Sequence, residues 1–132
     1  MKKTLLISFL FLSACTHLSG IEEDRIRQLE AQGITIDHPT GHYSKPASVG
    51  GAAALNLLPG IGNFYLGTGN GGQSVHWLYG FVNLLLWPIS ILWSVPEAAI
   101  DANTINKKEM IYYYIYDKQG QKDLKTAHVV LD

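Results

Sequence analysis

Between residues 46 and 96 the chain has no Asp, Glu, Lys or Arg, a run of 51 uncharged residues in a protein of 132. A water-facing domain spreads charged side chains over its outer surface, so this stretch excludes an ordinary soluble exterior there. Cysteine is almost missing as well. The single Cys15 rules out an internal disulfide. Charged residues make up only 16% of the chain and the net charge is −1, so no basic field would gather nucleic acid. Catalytic patterns are equally scarce. Gly67-Thr68-Gly69-Asn70-Gly71-Gly72 lacks the lysine and preceding strand of a phosphate loop, and no Ser and His spacing marks a triad. At this length the chain holds at most one small domain with appendages.

What is present begins with Lys2 and Lys3, an apolar run over residues 5–12, and then small residues. That is the build of a secretory signal, and its apolar run is too short to span a bilayer. Leu12-Ser13-Ala14-Cys15 resembles the bacterial lipobox. The resemblance implies a signal peptide over residues 1–14, cleavage before Cys15, and acyl chains such as palmitate on that cysteine. No cofactor is expected beyond this covalent lipid. Each buried methylene contributes about 0.8 kcal/mol, so several chains anchor the protein effectively permanently. Cleavage leaves eight basic against eleven acidic side chains, a net charge of −3. Thr16, in place of an aspartate, implies the outer rather than the inner membrane of the cell envelope.

Residues 15–45 read as a tether. Ser19 and Glu22 have capping-box spacing, Glu23 lies four before Arg27, and Gly33 is placed to end a short polar spacer helix. His38 and His42 have the spacing of a helical metal pair, but Pro39 and Gly41 argue against a helix and no third ligand lies nearby, so no metal site is expected.

Residues 46–106 read as a hydrophobic helical hairpin with a short helix after it. Residues 75–95 contain fifteen apolar side chains in twenty-one, long enough to cross hydrocarbon, and residues 49–66 are a weaker second candidate. The polar residues are not scattered: His76, Gly80, Asn83, Trp87, Ser90 and Ser94 recur at steps of three and four, and Asn56 and Asn63 fall on a similar line with Ala52 and Pro59. Two readings of Asn56, Asn63, His76 and Asn83 stay open. Their stripes face each other across the hairpin, or several copies line a polar path with them.

Within this stretch, Gly60 and the run Phe64-Tyr65-Leu66-Gly67, with Ile100-Asp101 near the end, resemble the two-transmembrane-helix domain family. The likeness covers residues 48–101. Gly62 and Asn63 stand where that family carries a charged or histidine residue followed by arginine. The resemblance implies a membrane module with no shared enzymatic activity. Orientation is contested, because lipid holds the amino end outside while Lys45, Lys107 and Lys108 flank the hairpin on both sides.

Ser94 and Glu97 repeat the capping-box spacing, with Pro96 in the first turn of a helix to about Asn106; Asp101 then reads as a solvated or hydrogen-bonded end. Residues 107–132 read as a tyrosine-rich β-hairpin: Tyr112, Tyr114 and Tyr116 alternate with Ile111, Tyr113 and Ile115 before turn residues 117–120. The expected fold class is therefore mainly α and membrane-associated, made of a spacer helix, a hydrophobic hairpin, a short helix and a C-terminal β-hairpin. The expected function is a non-enzymatic envelope lipoprotein, a membrane-anchored structural or assembly module. Alternatives are an oligomeric pore and an adaptor that binds an envelope protein through its tail. The expected partners are membrane lipid and either further copies of the chain or an envelope protein, with no nucleic acid.

Overall fold

The computed structural model describes residues 17–69 and 72–131. The signal peptide and Cys15 lie outside the described residues. Among the described residues six helices follow one another: α1 (Gly20–Ala31), α2 (Val49–Leu55), α3 (Ile61–Gly67), α4 (Val75–Leu85), α5 (Ile91–Tyr116) and α6 (Lys118–Thr126).

The chain breaks where its chemistry requires. Ser19 caps α1, with Glu22 N–H donating to its hydroxyl and the Glu22 carboxylate accepting from Ser19 N–H. Pro59 and Gly60 separate α2 from α3, and Gly60 takes a left-handed conformation with φ of 70°. Pro88 lies in the turn between α4 and α5, where a missing N–H and steric restriction of the preceding residue stop a helix.

Two expectations are overturned. The C-terminal β-hairpin does not form: among the described residues there is no strand, and residues 110–116 are the last turns of α5. Met110, Ile111 and Tyr114 are buried while Tyr112 and Tyr116 are exposed, a helical period rather than alternation. Intrinsic strand preference yields to packing here, since Ile26 and Leu29 of α1 with Ile34 and Tyr43 of the linker cover that helical face. The expected turn at 117–120 is instead a helix start, in which the Asp117 carboxylate accepts from the N–H groups of Gln119 and Gly120.

The hydrophobic segment is likewise not a pair of spanning helices. It folds as α2, α3, α4 and the first turns of α5, and no helix among the described residues is long and apolar enough to cross a membrane. The helix expected to run from Ser94 to about Asn106 is part of the 26-residue α5, and Ser94 lies one turn inside it rather than at its cap.

Helix α5 joins two packed bodies. At its C-terminal half, α1, α6 and the linker enclose Ile26, Leu29, Met110, Tyr114 and Leu124. At its N-terminal half Ala52 of α2, Leu66 of α3 and Ala47 of the linker pack with Ala98, Ala102 and Ile105. Small side chains there let the helix backbones approach closely. Asn106 ties the junction, its amide donating to the Ala47 carbonyl and accepting from the Ala47 N–H at 2.8 and 3.0 Å.

Candidate functional site

The body formed by α2, α3, α4 and the start of α5 has its polarity inverted, and we refer to it as the cap. On α4, His76, Gly80 and Asn83 are buried while Leu78, Phe81 and Leu85 face outward. Steps of three and four place each set on its own side of the helix. On α5, Ser94 and Asp101 are buried, as is Ser90 at its N-cap, yet Leu92 is 81% exposed. Globular domains ordinarily arrange these residue types the other way round.

The interior is a chain of polar contacts. The Asn56 amide donates to Asn63 Oδ1 at 3.0 Å and to the Ser94 carbonyl at 2.7 Å, and Asn56 Oδ1 accepts from the Asn63 N–H at 3.2 Å. Asn83 accepts from Trp93 Nε1 through its side chain and from the Ser90 hydroxyl through its carbonyl, at 2.9 and 2.8 Å. His76 Nδ1 lies 3.7 Å from Asp101 Oδ2, with both side chains at most 1% exposed. Neither His76 ring nitrogen has a hydrogen-bond partner, nor do Asn63 Nδ2 and Ser94 Oγ.

All four stripe residues, Asn56, Asn63, His76 and Asn83, are therefore buried inside one chain, where Asn56 and Asn63 bond directly. The motif residues surround them. Gly60 caps α3, and Phe64 packs on Trp77 and Phe81 with ring centroids 5.1 and 5.3 Å apart. The Tyr65 hydroxyl accepts from the Ser48 N–H, Leu66 is fully buried, and the Gly67 carbonyl accepts from Trp77 Nε1. Asp101 is not a solvated end but sits at 0% exposure in the interior. Glu97, read from sequence as a cap, lies within α5 beside Asp101 and Asn83. The signal for both was available: residues 90, 94, 97 and 101 continue one helical face.

Burial, and then Asp101, push the Glu97 carboxyl up to about 7, with the neighbouring Asn83 side chain acting the other way. Burial lowers the His76 pKa, and Asp101 offsets part of that. The fold thus favours the neutral form of each. An unfolded chain would release the Glu97 proton first, so that contribution to stability is full below about 4.5 and is lost as pH rises to about 7. It would protonate His76 first, so that contribution is full above about 6.5 and is lost on acidification. The two trends oppose each other in weakly acidic solution. Glu97→Gln is expected to leave only the histidine trend, and His76→Gln only the carboxyl trend. Urea unfolding in mild detergent across this pH range checks both, and three superimposable profiles for the parent and variants would rule the account out.

A second polar group gathers on the other body. Asp123 accepts from Tyr113 Oη at 2.6 Å, His42 N–H at 2.8 Å and Gln119 Nε2 at 2.9 Å, which hold its carboxyl well below the usual range. It fastens the linker to α6. Sequence gives no local sign of it, because His42 and Asp123 lie 81 residues apart. Among the described residues no three His, Cys, Asp or Glu side chains gather as a metal site. A cleft of about 640 Å³ lies between the linker and α2, lined by Lys45, Ser48, Tyr65 and Asn103 and by none of the buried stripe residues. No protein-family model matches the chain, and no curated protein or solved structure matches it.

Proposed function

We propose that this chain is a non-enzymatic lipoprotein of the bacterial envelope, held by lipid on Cys15, whose folded part is a structural or assembly module at the membrane. The observation that carries this reading is the cap. Its outer surface is uncharged over residues 46–96 and rich in exposed Leu, Phe, Ile and Trp side chains, while Asn56, Asn63, His76, Asn83 and Asp101 are buried. Such a surface is suited to contact with apolar surroundings. The lipobox resemblance supplies the route to the membrane, and Thr16 favours the outer one.

Enclosure also bears on the pore alternative. A pore lining would have to turn Asn56 and Asn63 away from their mutual bonds and from the Ser94 carbonyl. That costs several buried hydrogen bonds, so assembly is the better reading.

The intact protein is expected to incorporate labelled palmitate and to fractionate with the outer membrane, and Cys15→Ser to lose both. Unlabelled protein that still fractionates with the inner membrane would sink the lipoprotein reading.

A further inference from the structure

We infer that the cap is a second membrane contact, bedded in a single lipid leaflet through its exposed Leu, Phe, Ile and Trp side chains. The inference rests on the lipoprotein reading only in placing a bilayer nearby.

Three features point to lipid rather than to another protein. The first is the distribution of exposed apolar side chains. They lie on the α2–α3 turn at Leu58, on the outer face of α4 at Phe81 and Leu85, on the α4–α5 turn at Trp87 and Ile89, and on α5 at Leu92. A protein interface is one patch, whereas hydrocarbon covers every outward side of what enters it. The second is the lack of charge. Protein interfaces carry a polar rim, but residues 46–96 provide no charged side chain for one. Of the nearest acidic groups, Asp101 is buried and Glu97 half-buried, and Lys45, Lys107 and Lys108 flank the stretch. The third is depth. The eleven residues of α4 span about 16 Å, roughly half of a ~30 Å hydrocarbon core. That length suits one leaflet. The exposed indoles of Trp77 and Trp87 are the ring type that settles at a membrane interface.

The tether is compatible with this placement. Cys15 precedes the first residue of α1 by five positions, a reach of at most about 18 Å. The folded part is thus held close to the surface that takes the lipid.

All three tryptophans of the protein, Trp77, Trp87 and Trp93, lie in the cap, so intrinsic fluorescence reports on the cap alone. The experiment places the full acylated protein in phosphatidylcholine vesicles with or without bromine on the acyl chains. Brominated chains are expected to quench the emission about twofold or more, because the rings lie within contact of them. The double variant Leu85→Lys with Leu92→Lys changes two residues that are each 81% exposed and carries little packing loss. It is expected to retain its helicity and its acyl groups while losing at least about half of the quenching, since lysine is costly in hydrocarbon.

Emission from acylated protein that brominated chains leave unchanged would overturn the inference with the anchor intact. Unquenched, blue-shifted emission accompanied by cross-linked dimers would also overturn it, showing a second copy over the cap. Quenching of protein that carries no lipid on Cys15 would sustain the bedding while the lipoprotein reading fails.

Discussion

Replacing Gly60 by alanine is expected to destabilise the protein by about 4 kcal/mol, enough to unfold much of a marginal domain. Two causes add. The residue has φ of 70°, which a side chain disfavours by about 1–2 kcal/mol. A Cβ there would also overlap the carbonyl oxygen of Gly80 on α4. That obstacle is backbone, so relief requires α3 and α4 to separate, and overpacking of this kind costs about 1–3 kcal/mol. Gly50→Ala is the control. It lies in α2 with open space around its Cβ and is expected to raise stability by about 0.5 kcal/mol. Urea unfolding followed by circular dichroism in mild detergent measures both. Equal midpoints for the two variants would show that Gly60 is not a fixed contact.

Asn56→Leu is expected to cost about as much, by a different route. The side chain is buried where α2 and α3 meet α5, and it serves Asn63 Oδ1, the Asn63 N–H and the Ser94 carbonyl. Leucine has a similar volume, so little cavity forms. Three buried polar atoms instead lose a partner, at about 1–3 kcal/mol each, partly offset by the added apolar contact, leaving about 4 kcal/mol net. Asn63→Leu should be similarly damaging. The double variant should cost at least about 1 kcal/mol less than the two single losses together, because each change removes the partner that the other leaves stranded. Strict additivity would mean that the two amides act independently and that their bond contributes nothing.

These two positions also mark how far sequence reading reaches. The steps of four and three from His76 through Gly80 to Asn83 depend only on helical geometry, so that part of the stripe is visible without coordinates, whereas Asn56 and Asn63 lie on either side of a helix break. What faces the stripe is not visible, because that is set by chain crossing. Asp101 reads locally as a helix-end carboxylate, and only the approach of α4 encloses it with His76. Residues 110–116 fail for a related reason. Their local preference is for strand, but Met110, Ile111 and Tyr114 meet α1 and the linker on one helical side, and that burial decides the state. The charge-free segment carries enough apolar residues for two spanning helices. Pro59 and Gly60, the break between Gly67 and Val75, and Pro88 divide it into pieces that are each too short. Apolar content sets the surroundings a segment tolerates, and breakers set the length over which it acts.

Helix α5 would act as a measuring rod between the two proposed points of attachment. The start of α1 lies beside Lys108 and Tyr112, whereas the outermost turn of the cap precedes Ile91. The seventeen residue steps between Ile91 and Lys108 correspond to about 26 Å of helix. A tether of five residues spans at most about 18 Å. With the cap bedded one leaflet deep, about 15 Å, and α5 upright, the start of α1 would stand about 11 Å above the hydrocarbon, within the reach of that tether. The two proposed attachments are thus compatible with an upright α5. On this reading the tether has only about 7 Å to spare, so shortening it by three residues would draw α5 over from the membrane normal.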